Sequence, residues 1–128
     1  MDEKLKRGQR AIVQSRLKAV KNQYPDRDYE VSITLPEFTC LCPISGYPDF
    51  AVIHLKYVPD RKIVELKSLK LYINKFRDQS VFHEEAINRI LDDLVALVRP
   101  RKMEVTGDFN PRGNVKTVVC AKYEKENH

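Results

Sequence analysis

The sequence predicts an α+β domain in which a four-stranded antiparallel sheet carries two helices on one face. Three observations lead there. Two segments early in the chain and two at its end alternate apolar and polar residues with a period of two, while two central stretches repeat their apolar residues every three to four positions. The connections inside each strand pair are short and rich in turn residues, which makes paired strands antiparallel. The order therefore reads ββααββ.

Residues 1–25 form a basic N-terminal segment. Leu5, Ile12, Val13, Leu17 and Val20 are spaced loosely as in a helix, which Tyr24-Pro25-Asp26 would end. Residues 26–128 then make a single domain. Tyr29, Val31, Ile33 and Leu35 alternate with Glu30, Ser32 and Thr34 as a half-buried strand, stopped by Pro36. A loop over residues 37–48 holds Cys40 and Cys42. The second strand, residues 50–58, shows Ala51, Ile53, Leu55 and Tyr57 on one face, and a turn over residues 58–61 follows.

Leu66, Leu69, Ile73 and Phe76 place a short amphipathic helix over residues 65–76. Ile87, Ile90, Leu91, Leu94, Leu97 and Val98 mark a longer one, with Ser80 as its N-cap, Glu84 and Glu85 suited to its first turn, and Pro100 beyond its end. Met103, Val105 and Phe109, then Val115, Thr117, Val119 and Ala121, form the last two strands around a hairpin loop at residues 110–114. Four such strands leave two edges open, and pairing between copies would close them into a ring.

Composition excludes several classes of function. The chain has 128 residues, 42% hydrophobic and 32% charged, an ordinary balance for one globular domain. No apolar run approaches the ~20 residues of a membrane span, and the first residues lack the apolar block of a secretion signal. Three cysteines, an odd number, suit a reducing cytoplasm better than a disulfide framework. The net charge of +5 equals that of residues 1–22, where seven basic side chains face Asp2 and Glu3. No aromatic residue interleaves with them, so they read as a solvated segment and nucleic acid is not expected as a partner.

Chemistry concentrates in four places. Cys42 in a loop and Asp49 at the start of a strand could serve as nucleophile and proton donor, although a structural cysteine and a turn-capping acid would have the same spacing. Cys40, Cys42, His54, His83 and Cys120 supply enough donors for zinc, but C-x-C is not a usual zinc spacing and no metal is expected. Lys67 and Lys70, three apart on a helix, could hold phosphates or simply face solvent. The four glycines form no G-x-G-x-x-G, so a nicotinamide cofactor would have to be held by side chains. His83 and Glu84 open the long helix, where a carboxylate could pair with a guanine-like edge or merely complement the helix dipole.

In this order, Pro-Glu-Phe-Thr at 36–39, Cys-Pro at 42–43, Gly-Tyr-Pro-Asp-Phe-Ala at 46–51, Glu-Leu-Lys-Ser-Leu-Lys-Leu-Tyr at 65–72, Phe-His-Glu at 82–84 and Gly-Asp-Phe-Asn-Pro-Arg-Gly at 107–113 resemble one family over residues 28–123. It is that of the NADPH-dependent 7-cyano-7-deazaguanine reductases of queuosine biosynthesis, the QueF family, in its short single-domain form. The resemblance implies that Cys42 adds to the nitrile carbon to give a thioimide, that Asp49 protonates the nitrile nitrogen and that His83 assists. It implies that Glu84 reads the base edge with Glu65 and Ser68 in or beside the same pocket, and that Lys67, Lys70 and Arg112 meet the phosphates of NADPH. It further implies the tunnelling fold, a cytoplasmic homo-oligomer of two stacked pentamer rings, and sites between subunits. Cys40 departs from the pattern by adding a second thiol. Two relatives on the same scaffold compete: an amidinotransferase-like enzyme acting on a nitrile in tRNA, which lacks the Glu-x-Lys-x-x-Lys stretch, and a zinc cyclohydrolase, whose ligand pattern is missing here.

Overall fold

A computed structural model describes residues 5–126, apart from the side chain of Val13; Asp2, Glu3 and Lys4 of the basic segment lie outside it. The elements run α1 (Arg7–Gln14), β1 (Ala19–Lys21), β2 (Val31–Leu41), β3 (Pro48–Val58), β4 (Lys62–Val64), α2 (Leu66–Asn74), a 3-10 turn (Lys75–Asp78), α3 (His83–Val98), β5 (Lys102–Phe109) and β6 (Val118–Glu124). β2, β3, β5 and β6 form one antiparallel sheet in that order, and β1 pairs with β4 in a separate two-stranded ribbon. The expected ββααββ framework is present, with the ribbon and α1 added to it.

One face of the sheet is buried. Ala51, Ile53, Leu55 and Tyr57 of β3 lie beside Met103, Val105 and Phe109 of β5, whereas His54, Lys56, Cys120 and Lys122 face solvent, as the period of two demands. α3 lays Ala86, Ile87, Ile90, Leu91, Leu94 and Val98 over β5 and β6. Gly107 permits the close approach: a methyl group there would sit 2.5 Å from Ile87 Cδ1 and 2.9 Å from the Phe109 ring. Phe38 stands 5.4 Å from Phe76 and 6.1 Å from Phe109 between ring centres, and each such pair adds ~0.5–1.5 kcal/mol to its area burial. Tyr72 Oη donates to Asp93 Oδ2 at 2.6 Å, joining α2 to α3.

Local expectations differ from the structure at several points: Cys40 lies in β2 rather than in a loop, and the last strand begins at Val118, after Val115 and Thr117. The N-terminal helix ends at Gln14, and Ala19–Lys21 is extended because pairing with Lys62–Val64 satisfies its backbone. Pro36 does not stop the first strand. β2 is an edge strand and shifts register between Leu35 and Phe38, so the missing N–H costs no ladder bond. The shift also changes parity: Val31, Ile33 and Leu35 turn inward before it, Phe38 and Cys40 after it. Ser80 is not the N-cap of α3. It forms a parallel bridge with Leu41, and the helix starts later, with Phe82 in the cap position.

Candidate active site

Every piece of the site is placed by the end of a strand or helix. The last residue of β2 is held between Gln79 and Val81: Leu41 N–H donates to the Gln79 carbonyl at 2.9 Å, and Val81 N–H donates to the Leu41 carbonyl at 3.1 Å. Cys42, the next residue, is thereby fixed beside the first turn of α3. A tight loop completes its position, with Cys42 N–H donating to the Tyr47 carbonyl and Gly46 N–H to the Cys42 carbonyl. Gly46 has φ +76°, which a side chain would resist.

Asp49 continues the inward series Ala51, Ile53, Leu55 and Tyr57 on β3 and pairs in register with Cys40. A carboxyl group on the core face needs hydrogen-bond partners, and Asp49 has two. His83 Nε2 lies 3.1 Å from Oδ2, and Arg112 Nη1 donates to Oδ1 at 2.8 Å. The His83 ring lies flat on Phe109, 3.8 Å between centres and 3° between planes. The stack and the Asp49 contact together fix the imidazole.

Cys42, Asp49, His83, Glu84 and Arg112 line one cavity of about 260 Å³, closed by residues including Phe82 and Thr117. The Ser45 hydroxyl and the backbone amides of Ser45 and Ile44 hold the Cys42 thiol below its ordinary pKa, with desolvation and then the charge of Asp49 acting the other way. Cys40 is different: burial, then the charges of Asp49 and Cys42, push it up to about 11. Its thiol is enclosed in the core. The arrangement offers a thiol whose ionisation is favoured, a carboxyl group held by two partners and an exposed carboxylate, Glu84, at the rim. Such a set suits addition of sulfur to an unsaturated carbon with proton delivery to the neighbouring atom.

Glu65, Lys67 and Ser68 line a separate groove of about 310 Å³ together with Arg16 and Lys18. Glu65 turns out to be the N-cap of α2, its carboxylate accepting from Lys67 N–H at 2.8 Å and Ser68 N–H at 2.9 Å. These bonds hold its pKa below the usual glutamate value. Ser68 Oγ donates to the Glu65 carbonyl at 2.8 Å and accepts from Lys18 N–H at 2.9 Å. Lys67 and Lys70 are exposed and form no ion pair among the described residues. Within one protomer the Cys42 cavity and this groove are distinct.

Sequence reasoning missed four contributors: Ser45, the Gln79–Val81 clamp, Phe109 beneath His83, and Arg112 on Asp49. Only Phe109 had a visible signal, an aromatic residue closing the buried face of β5. Among the described residues no three His, Cys, Asp or Glu side chains gather as a metal would need, and no helix is long and apolar enough to cross a membrane.

The model of the QueF-like protein family matches residues 48–128, beginning just after Cys42. Several curated relatives carry the name NADPH-dependent 7-cyano-7-deazaguanine reductase. That of Microcystis aeruginosa is 59% identical over 95% of this chain and 93% of its own length. That of Gloeobacter violaceus is 55% identical over 96% and 90%, and that of a Synechococcus species 61% over 88% and 87%. Among solved structures, an archaeosine synthase QueF-Like in the apo form superposes with a TM-score of 0.68 over 73% of this chain and 91% of that one. At 24% identity that likeness carries the fold alone, a tunnelling-type α+β architecture.

Proposed function

The chain belongs to the QueF family, and from that premise we infer that it is an NADPH-dependent 7-cyano-7-deazaguanine reductase whose chemistry runs through Cys42. The observation that carries the assignment of residues is the meeting of Cys42, Asp49, His83, Glu84 and Arg112 in one cavity.

The reaction takes a nitrile to an aminomethyl group, a four-electron reduction, and bound NADPH supplies it as two successive hydrides. The part played by the protein is covalent and acid–base. The Cys42 sulfur adds to the nitrile carbon and one C–N π bond breaks. Its electron pair takes a proton from the Asp49–His83 pair, leaving a thioimide on Cys42. Ser45 and its neighbouring amides favour the thiolate this step needs. Glu84, exposed at the rim, is the acceptor for an N–H/NH₂ edge of the base.

The cations fit a phosphate-bearing cofactor. Lys67 and Lys70 are exposed and free of ion pairs among the described residues, and Arg112 is half-exposed on a rigid turn. The groove of Glu65, Lys67 and Ser68 lies apart from the Cys42 cavity of its own protomer, which supports a site completed by a neighbouring copy in a ring. Apolar side chains at the cavity end agree with such a neighbour: Ile44, Tyr47, Phe50, Phe82 and Val115 are all exposed. The two-ring decamer is the assembly we assign to this arrangement.

The test is NADPH oxidation with 7-cyano-7-deazaguanine by wild type and Cys42→Ala. Two NADPH consumed per nitrile by wild type, with a silent variant, is the expected result. Turnover by Cys42→Ala would overturn the covalent route. A Cys42 adduct without NADPH oxidation would point to the amidinotransferase-like chemistry instead.

A further inference from the structure

Of the three cations expected to serve NADPH, Arg112 alone is ion-paired among the described residues, and its partner is Asp49. Its guanidinium donates through Nη1 to Asp49 Oδ1 at 2.8 Å and lies 5.5 Å above the Tyr47 ring. The backbone beneath it is a two-residue hairpin turn. Arg112 N–H donates to the Val115 carbonyl at 2.9 Å and Val115 N–H returns a bond at 3.0 Å, while Gly113 and Asn114 adopt φ +57° and +73°. Positive φ at both central positions defines a turn of little freedom, so the side chain leaves from a fixed point.

The geometry points to Arg112 as a positioning residue for Asp49 during addition to the nitrile, before any cofactor is present; this rests on the functional reading above and deepens it. Asp49 has two carboxylate oxygens. His83 meets Oδ2 at 3.1 Å from one side and Arg112 meets Oδ1 from the other. Pinned at both oxygens, the side chain cannot rotate, and it is only 10% exposed where Arg112 is 39% exposed. His83 is itself fixed by Phe109, and Arg112 is the most exposed of the trio, at 39% against 22% for His83. The proton given to the nitrile nitrogen comes from the Asp49–His83 pair, whose shared hydrogen bond must be held in its productive position, and a displacement of ~1 Å is enough to cost ~10²-fold in rate. A cofactor phosphate would later compete with Asp49 for the same guanidinium. Arg112 thus serves the acid first and the cofactor second.

The experiment follows the Cys42 adduct by mass spectrometry after mixing the full chain with 7-cyano-7-deazaguanine and no NADPH. Wild type forms the adduct, Arg112→Ala forms it at least tenfold more slowly, and Arg112→Lys, which keeps the charge, recovers part of the loss. In an Asp49→Asn background, Arg112→Ala changes the residual rate less than twofold, because its effect passes through the missing carboxylate. Adduct formation by Arg112→Ala at the wild-type rate, with only the KM for NADPH raised, overturns the proposal. An undiminished tenfold loss in the Asp49→Asn background overturns it too. Absence of any adduct on wild-type Cys42 strikes the reductase reading itself, an outcome separable from the other two.

Discussion

Replacing Gly107 by alanine tests whether the contact between α3 and β5 holds the site together. The new methyl carbon would lie 2.5 Å from Ile87 Cδ1, 2.8 Å from Ile87 Cγ1 and 2.9 Å from Phe109 Cε1. Carbon atoms settle at about 3.5–4.0 Å, so something must move by roughly 1 Å. Neither neighbour has room, since Ile87 and Phe109 are fully buried and Ile90 and Leu94 beside them are too. Overpacking of this kind costs ~1–3 kcal/mol, and alanine returns up to ~1 kcal/mol through the lower backbone entropy it loses in a strand. The net expectation is a loss of about 1–2 kcal/mol. In urea unfolding followed by circular dichroism at fixed protein concentration, this lowers the midpoint by about 0.5–1 M, for a slope of ~2 kcal/mol per M. Phe109 carries His83, so kcat for the reductase falls as well. Ile87→Val removes the atom nearest the new methyl, and the double variant should lose less than the sum of the two single ones. Equal or greater stability for Gly107→Ala would refute the claim that the helix approach requires glycine.

Three further outcomes are expected. Ser45→Ala removes the leading cause of the lowered Cys42 pKa, so the pH midpoint of Cys42 alkylation by iodoacetamide should move up; an unchanged midpoint would reassign Ser45 to the loop alone. Cys40, pushed up to about 11 by burial, keeps its proton in the fold and loses it more readily unfolded. Its contribution is therefore intact below pH 9 and fades as pH rises towards 11, so Cys40→Ala should flatten the decline of stability measured across that window. Lys67→Ala with Lys70→Ala should raise the KM for NADPH about 10- to 100-fold, the loss of ~1–3 kcal/mol of charge-assisted contact. The melting temperature should hold, because neither lysine carries an ion pair in the described structure.

What could be read from the sequence was whatever depends on regular local periodicity. Ala51, Ile53, Leu55 and Tyr57 announced β3, and Ile87 to Val98 announced α3, because each buries one continuous face. Reading failed where a distant segment overrides a local preference. Ser80 is a good cap by type, yet its neighbours Gln79 and Val81 bond to Leu41 and hold it in a parallel bridge. Glu65, a poor cap by type, caps α2 with both oxygens. The same limit applied within the site. The spacing of Cys42 and Asp49 named two groups, but not that His83 and Arg112 would grip the acid from opposite sides, since those partners are 34 and 63 residues away along the chain. Nor could spacing reveal that Lys67 and Cys42 would lie in separate depressions of one protomer.

The irregularity between Leu35 and Phe38 sets the handedness of everything after it in β2. Ahead of it the odd-numbered residues point to the core, and behind it the even-numbered ones do. The nucleophile is therefore aimed from five or six residues upstream, by a phase change in an edge strand that touches no substrate. Continuing the alternation through residues 36 and 37 at the same length, with no bulge, would leave Val31, Ile33 and Leu35 in place and turn Phe38 and Cys40 out of the core together. The clamp on Leu41 would then hold the wrong side of the chain, and the thiol would face away from Asp49. For this enzyme, the bulge at positions 36–37 absorbs one extra residue of β2 and so aims the side chain at position 42.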